Sequence, residues 1–393
     1  MKKRLKWFLG FGIIVLGVVT FSLLGVMKFK VGPVHSVHIV NSKVQQHFFG
    51  HKPQAIPENH AQGNTEKQID SRLQHVDFVG NALVVKNGKV IFEKSYGQSD
   101  DCNQISNKLN STFEINSIQK IFTGVLVAKT ISSGKLNYND RLSKFYPQIR
   151  GSKSITIRQM LDMTSGLSMD PVGPNFMVSD KKILEWDSKH VIQDPKLINK
   201  WGYAGVNYNL LSGILEKVTG KSYKQLFEQT FVRSLKLRQT GFVYDRSLRN
   251  QRAIGYTNSD GSTIASYREA INPAPWAAHD ELGTGQIYMS ARDLYCAERA
   301  IMQGRVLSQS ERKRLEHPGS SRLYGGGTYV FREKGVTFMQ NHGFGYGFES
   351  MSDISEDGQT GVILLSNYYR PSRSIRPLST LIFEQIASNE WKG

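Results

Sequence analysis

The chain has 393 residues, 39% of them hydrophobic, which is enough for one large domain or two ordinary ones with a sizeable core. Six of the 50 lysines and arginines lie in the first 30 residues, and the other 44 still exceed the 33 acidic residues by 11, which favours an anionic partner or surface. No basic run interleaved with aromatic residues occurs, so a nucleic-acid partner is not expected. Two cysteines, Cys102 and Cys296, are too few for a metal cluster or a disulfide scaffold; one disulfide between them is possible, but two unpaired thiols are slightly favoured.

Residues 1–30, "MKKRLKWFLGFGIIVLGVVTFSLLGVMKFK", begin with a basic flank and contain 21 uncharged residues from Trp7 to Met27. About 20 residues are needed for a helix to cross a bilayer. A cleaved signal peptide would have a shorter apolar core and small residues before the cut, and a buried core helix would not explain the basic flank. The pattern favours an uncleaved membrane anchor with its N-terminus in the cytoplasm and the rest of the chain outside.

Residues 31–75 are predicted to be an extracytoplasmic linker. The stretch "HKPQAIPENHAQGNTEKQ" is polar, contains two prolines and shows no sustained apolar period. Six of the ten histidines lie between His35 and His75, but a solvated spacer explains them better than a metal site does. The folded domain is expected to cover residues 76–393.

The folded domain opens with "NALVVKNGKVIFEKSYG", two apolar runs about a Lys-Asn-Gly-Lys turn, which is a strong hairpin signal. A helix is predicted from Ile118 to about Ser132, ended by Gly134, and further helices at "TIRQMLDM" and "YNLLSGILEKVTG". Strand-like runs follow at "TYVFREKGVTFMQN", "GFGYGFESMSDI" and "TGVILLSNY", and "PLSTLIFEQIAS" is predicted to be a final helix. This order predicts an α+β fold whose sheet joins early and late strands around a helical insert.

Four Ser-x-x-Lys strings occur, and only one of them opens a long apolar helix: Ser117-Ile118-Gln119-Lys120. Residues i and i+3 share a helix face, so Lys120 can reach the Ser117 hydroxyl. Burial and the helix dipole should lower the lysine pKa, so that a neutral amine could take the serine proton. The segment alone is equally compatible with Ser117 as an ordinary helix N-cap.

Six ordered segments resemble the serine β-lactamase and penicillin-binding-protein superfamily, in particular its class C-like members. "NSIQKIFTG" is similar to the family's Ser-x-x-Lys motif, and the opening hairpin to that of class C-like members. "ITIRQMLDMTSGL", "YAGVNYNLLSGILEKVTGKSY", "LGTGQIYMSARDLY" and "GVILLSN" also have counterparts there. The resemblance implies a β-lactamase/transpeptidase-like α+β fold, with an antiparallel sheet flanked by helices and a helical insert. It also implies that Ser117 is the nucleophile.

The resemblance assigns further roles. Tyr203 matches the tyrosine of the second motif, which implies a proton relay between Ser117, Lys120 and the leaving group. The third residue of that motif is usually Asn or Ser and here is Gly205, so a hydrogen-bonding side chain is missing. Read on its own, Tyr203 is only an aromatic residue in "KWGYAG", a position more typical of a core or a turn.

The third motif, usually Lys or His followed by a small residue and Gly, is best matched by Asn341-His342-Gly343. Gly343 would allow the strand to approach the substrate closely. The amide of Phe344, with that of Ser117, would form the oxyanion hole. Asn341 in place of a cation would weaken carboxylate binding, and a register shift of one residue would make His342 the substrate-binding residue instead.

These features predict a membrane-anchored serine acyl hydrolase that acts outside the cytoplasm through an acyl-enzyme and needs no metal or cofactor. The neutral third motif favours D-alanyl esters on a cell-envelope polymer, and the motif residues are similar to those of the teichoic-acid D-alanyl esterase branch. The alternatives are a D,D-carboxypeptidase or penicillin-binding protein of low activity, and a non-catalytic wall-binding protein on the same scaffold. A true β-lactamase is less expected, because nothing identifies an efficient deacylation route.

Overall fold

The computed structural model describes residues 65–245, 248–317, 323–333 and 335–388. The predicted anchor, Trp7–Met27, lies outside these ranges. Among the residues they contain, we find no helix whose length and apolar character would allow it to cross a bilayer.

The first described element is helix α1, Thr65–His75, which lies inside the segment predicted to be a linker. Its Ile69 and Leu73 are fully buried, although most of its other residues are polar. Two apolar residues four apart are too few to give a clear sequence period, yet they suffice to fix one helix face on a core. Helix α1 thus belongs to the described fold although it precedes the predicted boundary at Val76.

A seven-stranded sheet forms the centre of the fold, and its strands are antiparallel to their neighbours. In spatial order they are β12 Tyr324–Gly325, β13 Thr328–Glu333, β14 Val336–Gly345, β15 Phe348–Ser355, β16 Gly361–Ser366, β1 Gly80–Lys86 and β2 Lys89–Tyr96. The hairpin β1–β2 joins the late strands through β16, with Leu83 opposite Ile363. The prediction of an α+β fold whose sheet combines early and late strands is confirmed.

The remaining α-helices of the described ranges are α2 Gln119–Ser132, α3 Ile157–Leu161, α4 Asp180–His190, α5 Val206–Thr219, α6 Tyr223–Phe227, α7 Ala277–Asp280, α8 Ala291–Met302, α9 Gln309–Glu316 and α10 Arg376–Ala387. The remaining strands are β3 Gln98–Asp100, β4 Ile105–Ser106, β5 Phe113–Glu114, β6 Leu167–Ser168, β7 Ile192–Gln193, β8 Thr240–Phe242, β9 Gly255–Thr257, β10 Glu269–Ile271, β11 Ile287–Met289 and β17 Tyr368–Tyr369. The predicted helices at "TIRQMLDM", "YNLLSGILEKVTG" and "PLSTLIFEQIAS" correspond to α3, α5 and α10.

The sheet is covered on both faces, and the period of two along its strands assigns each residue to one of them. Ala82 and Val84 of β1 lie in the core that α1 and α10 cover. Leu83 and Val85 lie in the larger core, which contains α2, α5 and α8. Strands buried on both faces explain the continuous apolar runs of the sequence.

Helix α2 is almost entirely buried and packs against α5 and α9. Its Gly124 faces the backbone of Gly326, where an added Cβ would lie 2.0 Å from the carbonyl oxygen, so only glycine fits. The helix ends before Gly134, whose φ of 75° is the left-handed conformation expected of a terminating glycine. The predicted helix start at Ile118 is replaced by a 3-10 turn, Asn116–Ile118, which leads into α2.

Candidate active site

Ser117 lies in the 3-10 turn between β5 and α2, and its Oγ accepts a hydrogen bond of 2.9 Å from Lys120 Nζ. The i, i+3 spacing places both side chains on one face, as the sequence predicted. The N-cap of α2 is Ile118, so Ser117 does not have the capping position of the alternative interpretation. Ser117 is partly exposed whereas Lys120 is 2% exposed, so the hydroxyl is accessible and the amine is shielded from water.

The serines of the other three Ser-x-x-Lys strings have ordinary structural positions. Ser132 Oγ donates to the Ala128 carbonyl of its own helix. Ser179 precedes α4 as its N-cap residue, and Ser310 is hydrogen-bonded to Ser308 at the start of α9. Context, rather than the spacing alone, therefore distinguishes Ser117.

Tyr203 lies in the turn before α5, and its OH donates a hydrogen bond of 2.9 Å to Ser117 Oγ. Lys120 Nζ lies 5.1 Å from the centroid of the Tyr203 ring. Desolvation raises the pKa of the Tyr203 phenol above its ordinary value, an effect that the hydrogen bond to Ser117 opposes and the charge of Glu281 reinforces. The phenol is therefore protonated at neutral pH and can donate a proton.

Burial lowers the pKa of Lys120 from 10.5 to about 7, while the carboxylate of Glu281 acts in the opposite direction. An amine with this pKa is neutral in a large fraction of molecules at neutral pH, so it can accept a proton from Ser117. The expected direction of the shift is confirmed, and desolvation is its main cause.

A cavity of about 530 Å³ opens beside these groups, within the size range of small-molecule sites. Its ionisable and phenolic lining residues are Lys120, Asp170, Lys200, Tyr203 and Glu281, and its apolar lining includes Leu167, Val172 and Trp201. Gly205 also lines it, and a Cβ added there would meet no atom of the described residues within 4 Å. The space that a second-motif side chain would occupy is thus part of the cavity.

Strand β14 passes directly beside the nucleophile turn. A Cβ on Gly343 would lie 2.2 Å from the carbonyl oxygen of Ile115 and 2.9 Å from the amide nitrogen of Ser117. The close approach expected at Gly343 is therefore to the turn that carries Ser117, and a side chain here would push strand and turn apart.

The backbone of Phe344 faces the edge of β14 that points away from β15. Backbone groups of successive residues alternate between the two neighbouring strands. The Thr337 carbonyl accepts from the Glu356 amide on the β15 side, and the register of β14 with β15 continues without a bulge to Gly345. The pairing with β13 ends at Gln340. This orientation suits an oxyanion hole formed by the Phe344 and Ser117 amides, which stays a prediction.

Asn341 is not among the residues that line this cavity, and its role in substrate binding stays a prediction. It is 3% exposed, and its Nδ2 donates to Glu298 Oε1 at 3.0 Å and to Ser352 Oγ at 3.3 Å. Burial raises the pKa of Glu298 to about 7. The Asn341 amide therefore connects β14 to α8 beneath the sheet surface. The neutral side chain at the position where the third motif usually has a cation thus makes structural hydrogen bonds.

His342 points to the opposite face of β14, because successive residues of a strand alternate. Its Nε2 lies 2.9 Å from Glu349 Oε1, and the same carboxylate accepts hydrogen bonds from Ser374 Oγ and the Ile375 amide next to α10. It is not among the residues that line this cavity either, and its alternative role in substrate binding stays a prediction.

Glu281, which no sequence motif predicted, lines the cavity from the segment after α7. It is 7% exposed, and its Oε1 accepts a hydrogen bond of 2.9 Å from Tyr346 OH. The only available signal was its position next to "LGTGQIYMSARDLY", one of the segments with family counterparts. A single glutamate there carries no pattern that distinguishes it from a surface residue.

The chain is similar to known proteins over most of its described length. The beta-lactamase family model matches residues 67–386. The penicillin-binding-protein-like PbpX of Bacillus subtilis is 29% identical over 301 residues, 77% of this chain and 73% of that protein. A teichoic acid D-alanine hydrolase of Staphylococcus aureus is 31% identical over 259 residues, 66% of this chain and 63% of its own length.

Two solved structures share the fold. FmtA from Staphylococcus aureus superposes with a TM-score of 0.70 at 24% identity, covering 89% of this chain and 95% of FmtA. D-amino acid amidase from Ochrobactrum anthropi also gives 0.70, at 17% identity, covering 83% of this chain and 99% of the amidase. The chain therefore belongs to the beta-lactamase family and has its α+β fold. It is a serine hydrolase of the penicillin-binding-protein superfamily.

Proposed function

We propose that this protein removes D-alanyl groups from teichoic acid by hydrolysing their ester bonds outside the cytoplasm. The observation that carries the proposal is the position of Ser117 Oγ, 2.9 Å from both Lys120 Nζ and Tyr203 OH. A hydroxyl held between an amine and a phenol suits nucleophilic attack on a carbonyl with proton transfer on either side. The similarity to a teichoic acid D-alanine hydrolase supports this substrate class.

In the proposed reaction, Ser117 Oγ attacks the ester carbonyl while its proton passes to neutral Lys120, directly or through Tyr203. The Phe344 and Ser117 amides stabilise the oxyanion. The bond to the polymer oxygen then breaks, and the same proton is returned to that oxygen through Tyr203. A water molecule attacks the D-alanyl-Ser117 ester, gives its proton to the Lys120–Tyr203 pair, and releases D-alanine while Ser117 regains its hydrogen.

The substrate preference rests on the second and third motifs. Peptidases of this superfamily usually use the motif-three cation to hold the substrate carboxylate, and here Asn341 occupies that position and is buried against Glu298. Gly205 offers no side chain to a substrate amide. Both features favour an ester without a carboxylate over a peptide ending in D-Ala-D-Ala. The similarity to PbpX keeps a D,D-carboxypeptidase or weak penicillin-binding protein as the second candidate.

We further propose that residues 1–30 anchor the protein in the cytoplasmic membrane as a single-pass segment and that the folded domain faces the cell envelope. The uncharged segment Trp7–Met27 and the preceding basic residues support this location. A protease added to intact cells should then degrade the folded domain and leave a short membrane-bound fragment. A folded domain that survives while a known surface protein is degraded would contradict this orientation.

The substrate test compares full-length wild type, Ser117→Ala and the matched control Ser132→Ala on D-alanylated teichoic acid and on a muropeptide ending in D-Ala-D-Ala. The measurement is D-alanine release, together with covalent labelling by a serine-directed acylating probe. Wild type and Ser132→Ala should release D-alanine from teichoic acid preferentially, and Ser117→Ala should neither release it nor be labelled.

Each other outcome of this test would contradict a different part of the proposal. Preferential cleavage of the peptide would favour the D,D-carboxypeptidase. No release from either substrate and no labelling of wild type would favour a non-catalytic wall-binding protein. Labelling that persists in Ser117→Ala would show that another serine is the nucleophile.

A further inference from the structure

A carboxylate lies in the same cavity as the proposed proton-transfer groups. Glu281 is nearly buried, and it lines the cavity together with Lys120 and Tyr203. Its negative charge acts on both of them, because it raises the pKa of the amine and of the phenol. The carboxylate is therefore within electrostatic reach of both Lys120 and Tyr203.

This carboxylate opposes the chemistry assigned to its neighbour. Lys120 must be neutral to accept the Ser117 proton, and a nearby negative charge favours its protonated form. The hydrogen bond that Tyr346 donates to Glu281 could be accepted equally well by the amide oxygen of a glutamine. A carboxylate that lines the cavity next to these groups is also suited to bind a cationic group of a substrate.

We propose that Glu281 binds the α-ammonium group of the D-alanyl substrate and thereby selects aminoacyl esters over neutral ones. This inference rests on the proposed function. In a D-alanyl ester the ammonium is attached to the carbon next to the carbonyl, so it must enter the cavity with the atom that Ser117 attacks. A cation desolvated there needs a charged partner, and a carboxylate beside Lys120 is placed to supply it.

The cavity contains a second carboxylate, which serves as a matched control. Asp170 lines it from an exposed position and is not among the groups that shift the pKa of Lys120 or Tyr203. If the ammonium binds near the attacked carbonyl, Glu281 should determine selectivity and Asp170 should not. If the ammonium instead stays at the cavity mouth, Asp170 should determine selectivity and Glu281 should not.

The test uses two esters of the same alcohol, glycerol phosphate, that differ only in the acyl group: D-alanyl and propionyl, which lacks the ammonium. The measured quantity is the ratio of kcat/KM for the D-alanyl ester to that for the propionyl ester, in full-length wild type, Glu281→Gln and Asp170→Asn. Glu281→Gln should lower the ratio by about ten- to a hundredfold, the effect of losing one hydrogen bond to a charged group. Asp170→Asn should leave it unchanged.

A second readout separates ammonium binding from a merely structural role. Glu281→Gln removes a charge that raises the pKa of Lys120, so the rising limb of the pH profile for propionyl-ester hydrolysis should move to lower pH. Tyr346→Phe removes the hydrogen bond to Glu281 but keeps the carboxylate, so the selectivity ratio should be retained. If Glu281 acts only by holding Tyr346, Tyr346→Phe should instead lower the ratio of kcat/KM for the D-alanyl ester to that for the propionyl ester.

If Glu281→Gln does not fold, Gly285→Ala replaces it, because a Cβ at Gly285 would lie 1.9 Å from Glu281 Oε2 and must displace that flexible carboxylate. An unchanged ratio in a folded Glu281→Gln or Gly285→Ala protein that still cleaves D-alanyl esters would overturn this inference alone. A wild type that cleaves the D-Ala-D-Ala peptide but not the D-alanyl ester would overturn the proposed function, and this inference with it.

Discussion

Replacement of Lys120 by methionine should stabilise the protein while abolishing its activity. Lys120 is 2% exposed, and burial lowers its pKa from 10.5 to about 7. The charged form is therefore less favourable in the folded than in the unfolded chain. Methionine fills a similar volume without a charge, so Lys120→Met removes this cost together with the proposed base.

The size of the effect depends on pH. One pKa unit corresponds to about 1.4 kcal/mol, so the shift of Lys120 corresponds to a cost of about 5 kcal/mol when the amine is protonated in both states. Below pH 7 the whole cost applies. Between pH 7 and 10.5 the folded amine is neutral while the unfolded one still binds a proton, so the stability of the wild type rises with pH. At pH 9 the remaining cost is about 2 kcal/mol.

Loss of the hydrogen bond to Ser117 offsets about 1 kcal/mol of the gain. Lys120→Met should thus raise the free energy of unfolding by about 4 kcal/mol at pH 6 and by about 1 kcal/mol at pH 9. Urea denaturation followed by tryptophan fluorescence at both pH values measures the two differences. A variant that is less stable than wild type, or a difference that does not change with pH, would mean that Lys120 is not buried as an amine with a lowered pKa.

Two further predictions concern β14 and α8. Gly343→Ala should reduce acylation of Ser117 at least about tenfold, because its Cβ would overlap the Ile115 carbonyl, whereas Gly205→Ala should change acylation little, since no atom of the described residues lies within 4 Å of a Cβ there. The rate of labelling by an acylating probe measures both effects. Equal labelling rates in the two variants would refute the close approach of β14 to the nucleophile turn. Burial raises the pKa of Glu298 from 4.5 to about 7, so the stability of the wild type falls as pH rises through that interval. Glu298→Gln should therefore stabilise the protein relative to wild type by about 3 kcal/mol more at pH 8 than at pH 4. Urea denaturation at the two pH values measures this difference, and a difference independent of pH would argue against a proton held on Glu298.

The parts of the fold that the sequence predicted are those with local signals. Helix α2 follows from a continuous apolar run ended by a glycine, and the β1–β2 hairpin from two apolar runs about an Asn-Gly turn. Ser117 and Lys120 are three residues apart, so helix geometry alone brings them together. Helix α1 was missed because two buried residues in a polar segment do not establish a period.

Two further groups of the site depend on contacts that no short segment encodes. A motif match correctly places β14 beside the nucleophile turn, but it does not show which neighbour covers each residue of the strand. Asn341 is covered by Glu298, 43 positions away in sequence, and this contact removes it from the cavity. Glu281 reaches the cavity only because the segment after α7 folds back beside α2 and the turn before α5. The proposed substrate-selecting carboxylate of Glu281 therefore lies in a segment that has no motif of its own. Its proposed role follows from its position in the same cavity as Lys120, and no sequence pattern around Glu281 indicates it.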